Sequence, residues 1–299
     1  MRNRWRLMVT ALVLALALGV ASCGDDEEEP AGGGATATEE GAAAEEFPAG
    51  TTMARIQEKG EITIGVKYDV PPFGFKNPES GAVEGFDVDF GKAVADALGV
   101  EPKLVEAISD NRIPFIQDGT VDLVLSTMTI NAERAAEIGF TDPYFIAKGR
   151  ILVPKDSDIK GIEDLAGTKV CTALGSTYEE TLKEQAPKAD LRLVDAYSEC
   201  LELLQNGAVD AISTDDVILT GMIIQDESLK LVGDELTVEP YGGGFKKDDT
   251  EFAEFLNGVL EEYKSGGDWQ ASYDNWLGQY TGEQQSPPDQ TLDEVLAEG

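Results

Sequence analysis

The sequence predicts an α/β fold of two lobes around a ligand cleft, and three observations carry that prediction. Short apolar, β-branched runs alternate with helical patterns, which argues for mostly parallel sheets covered on both faces. The alternation falls into two units, the second starting after Gly149–Pro154. In each unit a strand ends in hydroxyls and amides that open a helix. Ligands of open α/β sheets sit just beyond the carboxyl ends of strands, so these polar groups would converge on one cleft.

The first unit starts near Thr51. Ile62–Val66 reads as a strand ending in Lys67-Tyr68-Asp69, and Val70-Pro71-Pro72-Phe73 as a loop. Gly85-Phe86-Asp87-Val88-Asp89-Phe90 enters a helix capped by Gly99. Pro102–Glu106 is a second strand, and Ile113–Gly119 a helix stopped by glycine. The most informative stretch follows. Val121–Leu125 is a buried strand, Ser126-Thr127-Met128-Thr129 brings hydroxyls out at its end, and Asn131 or Ala132 opens a helix. Such a helix start suits a carboxylate. Arg134 in its first turn opposes the helix dipole unless an anion sits beside it, and its planar fork can pair bidentately with that anion.

In the second unit Lys169–Thr172, Leu191–Val194 and Ala208–Ile212 read as strands, with helices near Thr177–Gln185 and Tyr197–Gln205. Ala173-Leu174-Gly175-Ser176-Thr177 repeats the strand-to-helix cradle, and Ser213-Thr214-Asp215-Asp216 follows the third strand in the same way. Leu231–Tyr241 reads as strand and Gly242-Gly243-Gly244 as a flexible break. Phe252, Phe255, Leu256, Val259, Leu260 and Tyr263 share one helical face. Residues 283–299 read as a peripheral tail. An arginine facing Asp215 across the cleft supplies the pair that a zwitterionic amino acid needs.

Composition sets the outer bounds. At 299 residues with 42% hydrophobic content the chain can bury two lobes. A net charge of −34 rules against nucleic acid, whose binding needs a basic footprint. No histidine is present, which removes histidine general acid–base chemistry, Ser-His-Asp and Cys-His systems and histidine-ligated metals together. No metal or cofactor is expected. Arg2, Arg4 and Arg6 precede an apolar run from Leu7 to Val20, too short for a comfortable span and right for a signal-peptide core. Val20-Ala21-Ser22-Cys23 resembles a bacterial lipobox, which would make Cys23 the lipidated residue. Residues 23–51 are acidic, Gly- and Ala-rich and lack any basic residue, as an extended tether would be. Cys171 and Cys200 remain, an even pair that invites a disulfide in an exported chain.

Ile64-Gly-Val through Phe73, Gly85-Phe-Asp-Val-Asp, Asn111-Arg-Ile-Pro, Gly119-Thr-Val-Asp, Thr127–Arg134, Phe140-Thr-Asp-Pro-Tyr-Phe and Val209-Asp-Ala stand in an order that resembles the polar amino-acid-binding proteins of ABC importers, bacterial extracellular solute-binding protein family 3. The resemblance spans about residues 54–280 and leans toward the glutamate-binding lipoproteins of actinobacterial type. It implies a periplasmic-binding-protein type II fold, with lobe one at 52–152 and 241–282, lobe two at 153–240, and crossovers near Gly149–Pro154 and Val238–Gly242. It implies that Arg134 takes the α-carboxylate, with Thr127 and Thr129 giving hydroxyl and backbone contacts. Ser176 and Thr177 would form the lobe-two cradle and Asp215 would take the ammonium, with Asp216 a helix-cap carboxylate.

Specificity rests on Lys67, which stands where cationic amino-acid binders often carry an acid and so suits an anionic side chain. Arg112 is a second candidate contact and Lys148 a weaker one. Val70 replaces an aromatic that stacks on ligand in many relatives, leaving Tyr68 or Phe73 to supply that wall. The expectation is a monomeric, non-enzymatic receptor on the outer face of the cell membrane or in the periplasm. It would be lipid-anchored, capture L-glutamate by hinge closure, and deliver it to ABC permease and ATPase subunits. Glutamine, aspartate or asparagine in the same role is the alternative. A sensory module would usually carry a following transmembrane segment, and an enzyme on this fold would need a general acid in the cleft.

Overall fold

A computed structural model describes residues 47–278, 280 and 285–298. The signal segment 1–22, Cys23 and the tether as far as residue 46 lie outside the described residues. Phe47, placed in the tether by the sequence reading, packs edge-on against Phe255, and Thr51 accepts from the Ala54 amide to cap α1 (Thr52–Lys59). After α1 come β1 (Glu61–Val66) and a small antiparallel sheet of β2 (Asp69–Val70), β3 (Gly74–Lys76) and β4 (Val83–Glu84). Next are α2 (Phe86–Leu98), β5 (Glu101–Glu106), α3 (Arg112–Gln117), β6 (Leu123–Val124), α4 (Ala132–Glu137) and β7 (Gly139–Phe140). α2 buries Phe86, Phe90, Val94 and Leu98 and stops at Gly99, whose φ of 68° accepts the left-handed cap.

β8 (Phe145–Pro154) carries the chain into the second lobe. There β9 (Lys169–Ala173), α5 (Thr177–Gln185), β10 (Asp190–Val194), α6 (Tyr197–Gln205), β11 (Ala211–Asp215), α7 (Asp216–Gln225) and β12 (Leu229–Val232) follow in order. β13 (Val238–Tyr241) returns beside the first half of β8, pairing Val238 with Lys148 and Tyr241 with Phe145. β14 (Gly244–Phe245), α8 (Thr250–Ser265) and α9 (Asp268–Tyr273) complete lobe one, and α10 (Leu292–Glu298) packs Val295 beside Ile116, Ile130 and Ile138. This is a type II periplasmic-binding-protein fold, two α/β lobes joined by the antiparallel crossover pair.

Four expectations need correcting. The sheets are mixed: β5–β1–β6 are parallel in lobe one and β10–β9–β11 in lobe two, but β14, β7, β8 and β12 add antiparallel strands. The reason is the crossover itself, which brings the chain back in the opposite sense. The run Leu231–Tyr241 is two strands, broken where Gly233 turns at φ 70°. The glycines at 242–244 serve close packing, since a Cβ on Gly242 would lie 2.7 Å from Ile130 Cγ1, and Gly244 pairs with Val124 and Phe140. The tail is docked, with the Leu292 amide donating to Asp142 Oδ1.

Lobe one buries an aromatic cluster in which Phe73, Phe86, Phe145 and Tyr241 meet edge to face or tilted, with Trp269 donating to the Tyr144 carbonyl. Lobe two buries aliphatic groups around β9 and β11, stapled by the Cys171–Cys200 disulfide between β9 and α6. The staple fixes two elements that both lead into the cleft.

Candidate ligand-binding site

The cleft is built where strands end. Past β5 comes Ser109, past β6 Thr127 and Thr129, past β9 Ser176 and Thr177, and at the end of β11 Asp215, while Lys67, just past β1, sits against Ser109 and Tyr197 and does not itself line the cavity. Ser109, Arg112, Thr127, Thr129, Arg134, Ser176, Thr177, Tyr178, Tyr197 and Asp215 line one small cavity between the lobes. A wider groove of about 890 Å³ shares Thr129, Arg134, Ser176 and Thr177 with it and runs out between α5 and α10. The sequence reading therefore assembled most of the wall.

The strand-end turn of lobe one is held by charges from both sides. Thr127 has φ 45°, a left-handed conformation that costs a branched residue energy and persists only where its surroundings enforce it. Asp87 Oδ2 accepts the Thr127 amide at 2.9 Å, while Asp87 Oδ1 accepts from the Tyr144 hydroxyl at 2.7 Å. From the other side Arg112 Nη1 donates to the Ser126 and Thr127 carbonyls, and its Nε to the Ser109 carbonyl. Burial pushes the Asp87 carboxyl up to about 7, against the pull of those two donors.

Arg134 donates from Nη1 to the Thr129 carbonyl at 2.9 Å and from Nη2 across the cleft to the Gly175 carbonyl at 3.1 Å. α4 is only six residues long, and Asn131 Oδ1 already takes the Arg134 amide. The helix amides are thus partly spent, and the guanidinium is the stronger anion partner. On the other lobe α5 has no side-chain cap; the Ser176 and Glu179 amides are taken by the Ala173 and Ser176 carbonyls, which leaves the Thr177 and Tyr178 amides for a ligand.

Lys67 is 1% exposed, its ammonium donating to Ser109 Oγ at 2.7 Å and lying 5.5 Å over the Tyr197 ring. Burial, with Arg112 repelling it, lowers its pKa to about 7. Arg112 is lowered to about 9 by burial and by Arg134, and Arg134 is lowered by burial. None of these three buried cations takes part in the ion pairs formed among the described residues. Asp215 Oδ1 accepts from the Tyr178 hydroxyl at 2.8 Å, and burial together with the Glu239 charge raises its pKa to about 8. Asp216 is the first residue of α7 and not its cap, a position that Asp215 holds without a side-chain cap bond; Asp216 Oδ1 accepts from the Val217 and Lys148 amides, and the Lys148 ammonium pairs outside the cleft with Glu235.

Neither residue expected to form the aromatic wall does so, and one functional residue went unread. Phe73 is fully buried in the lobe-one aromatic cluster, because the loop after β2 turns it inward, so it gives no wall to the cavity. Tyr68 points the other way, its hydroxyl donating to the Leu104 carbonyl. The aromatic walls are Tyr197 and Tyr178, from the starts of α6 and α5, so the strand-to-helix logic that located Thr127 could have located them too. Finally, the Thr129 and Thr177 hydroxyls both donate to Glu239, a buried acid on β13 that the sequence reading passed over inside an apolar strand. Its only signal was an acid in the run Val238-Glu239-Pro240-Tyr241.

Comparison with known proteins follows the same lines. The chain is 41% identical over 230 residues to the ABC transporter glutamine-binding protein GlnH of Bacillus subtilis, covering 76% of this chain and 84% of that one. It is 36% identical over 237 residues to the glutamate-binding protein GluB of Corynebacterium efficiens, covering 74% and 80%. Among solved structures, an ancestral arginine-binding protein bound to glutamine superposes with a TM-score of 0.70 at 39% identity, covering 73% of this chain and 98% of that one. Residues 62–279 match the model of one family along nearly the whole two-lobed fold, and the chain belongs to the bacterial extracellular solute-binding proteins, family 3.

Proposed function

We propose that the protein is the receptor of an ABC amino-acid importer and captures L-glutamate. The carrying observation is the cleft's charge. Lys67, Arg112 and Arg134 are buried there outside the ion pairs formed among the described residues, and a buried cation is costly until an anion joins it. Asp87 and Asp215 are held toward their neutral forms at about 7 and 8, which leaves Glu239 as the main acid acting on Arg134 and Asp215 as the carboxyl acting on Arg112. A ligand with two carboxylates and one ammonium balances that arrangement. Arg134 and the α5 amides receive the α-carboxylate, Asp215 and the Tyr178 hydroxyl the ammonium, and Lys67 with Ser109 the side-chain carboxylate. The relatives named for glutamine and glutamate support a five-carbon amino acid, one with a three-carbon side chain ending in an amide or a carboxylate.

Capture proceeds by hinge motion about β8 and β13, and closure is favoured only by contacts that the ligand makes better in the closed form. Cys23 anchors the chain by lipid to the outer face of the membrane, where a monomer hands its ligand to the permease and its ATPase subunits. Calorimetry with glutamate, glutamine and aspartate tests the reading. Glutamate should bind most tightly. Tighter glutamine binding overturns the glutamate assignment, and no binding of any amino acid overturns the receptor assignment.

A further inference from the structure

Glu239 lies on β13, one of the two strands that cross between the lobes, and is 2% exposed. Its Oε2 accepts from Thr129 Oγ1 of lobe one at 2.5 Å and from Thr177 Oγ1 of lobe two at 2.9 Å. Its Oε1 accepts from Thr237 Oγ1 at 2.6 Å. One carboxylate oxygen on the hinge therefore ties the two strand-end cradles together. The geometry is unequal between the lobes. Thr129 is fixed to β13 by a backbone bridge to Tyr241 and by the Ile130 amide donating to the Pro240 carbonyl, so its contact with Glu239 belongs to lobe one whatever the lobes do. Thr177 starts α5, and its hydroxyl is the member of the set that reaches Glu239 from lobe two. A buried carboxylate that loses a donor pays for it, because water must then replace the bond.

We infer that Glu239 is a closure latch, a positioning residue that couples the hinge to α5 through Thr177 and holds the lobes together around the ligand. The inference rests on the hinge-closing reading above. Thr177 then serves the ligand through its backbone amide, while its hydroxyl serves the latch. Glu239 also lies near Arg134, where its charge favours the guanidinium's ionised form.

The test uses the full-length protein with Glu239→Gln, Thr177→Val and Thr177→Ser, spin-labelled on one exposed helix of each lobe. Two quantities are read: the lobe-to-lobe distance distribution without amino acid, and the rates of glutamate association and dissociation. A hydrogen bond to a charged group is worth enough to predict roughly tenfold faster dissociation in E239Q and T177V. Association should hold, the distances should shift longer in both variants, and T177S should return to wild type. Unchanged distances and dissociation in E239Q and T177V overturn the latch, as does a shift in E239Q that T177V does not share. If the wild type binds no glutamate while both variants still lengthen the distances, the latch stands and the ligand assignment fails.

Discussion

Arg112 and Arg134 donate to the same oxygen, the Gly175 carbonyl, at 3.3 and 3.1 Å. Two lobe-one guanidiniums thus meet a single lobe-two carbonyl, and neither has a carboxylate partner among the described ion pairs. Their remaining bonds differ. Arg112 spends Nε and Nη1 on the carbonyls of Ser109, Ser126 and Thr127 and so braces the turn, whereas Arg134 has only Thr129 besides. Arg134 is the cation freer to turn toward an incoming carboxylate. Arg134→Ala should weaken glutamate binding by about 2–5 kcal/mol, the cost of a buried carboxylate left without its partner. Calorimetry showing less than a tenfold loss would remove the carboxylate from Arg134.

In the proposed function Lys67 is the residue that meets the ligand's side chain. Its ammonium has one hydrogen-bond partner, Ser109 Oγ, and a π-face in Tyr197. A ligand carboxylate there gains a full opposite charge, while an amide carbonyl accepts the ammonium's hydrogen bond without bringing a charge of its own. Lys67→Met should therefore cost glutamate at least tenfold more affinity than it costs glutamine. Equal losses for both ligands would assign Lys67 to packing beneath Tyr197 instead.

How far the sequence carried this picture depends on what kind of signal each residue leaves. Thr127, Ser176 and Asp215 stand at or just past the ends of apolar strands and Arg134 in the first turn of the helix after one, so their place in the cleft was legible from periodicity plus the strand-end rule. Phe73 misled because a hydrophobic residue in a Pro-rich loop gives no sign of which way the loop turns it. Glu239 and Asp87 were invisible as functional groups, since their partners Thr177 and Thr127 stand 62 and 40 residues away. The mixed sheets escaped for a similar reason: β14 joins β6 only after the chain has left lobe one and returned.

The two titrating groups on either side of the ligand predict a bell-shaped affinity. Asp215, raised to about 8 by burial and by Glu239, is protonated in the ligand-free cleft below that pH and must ionise to take an ammonium. Binding then releases a proton, so affinity falls as pH drops below about 8. Lys67, lowered to about 7 by burial and Arg112, is neutral above that pH and must gain a proton to pair with a carboxylate. Affinity falls again above about 7, which leaves the optimum between the two values. Asp215→Asn should flatten the acid limb and Lys67→Met the alkaline one, read as dissociation constants from pH 5 to 9. A wild-type profile flat across that range would mean that neither group titrates on binding.

Gly221 offers a way to separate closure from folding. It sits inside α7, where glycine costs roughly 1 kcal/mol relative to alanine, so some packing demand must hold it there. The demand is the Pro71 carbonyl from the loop after β2: a Cβ on Gly221 would stand 1.8 Å from that oxygen. Next to it Val70 is buried among the lobe-two side chains Tyr197, Ile218 and Met222, and Asp69 Oδ2 accepts the Ser198 amide. This loop is therefore one part of lobe one that seats on lobe two, and backbone on its side cannot move aside as a flexible side chain could. Gly221→Ala should leave the thermal midpoint within a few degrees, because the helix gains what glycine lost. It should also hold the lobes apart and weaken glutamate binding at least tenfold, through faster dissociation. Scattering of the ligand-saturated variant should give a larger radius of gyration than wild type. Wild-type affinity with a wild-type radius would mean that the ligand-bound form does not bring Pro71 onto α7.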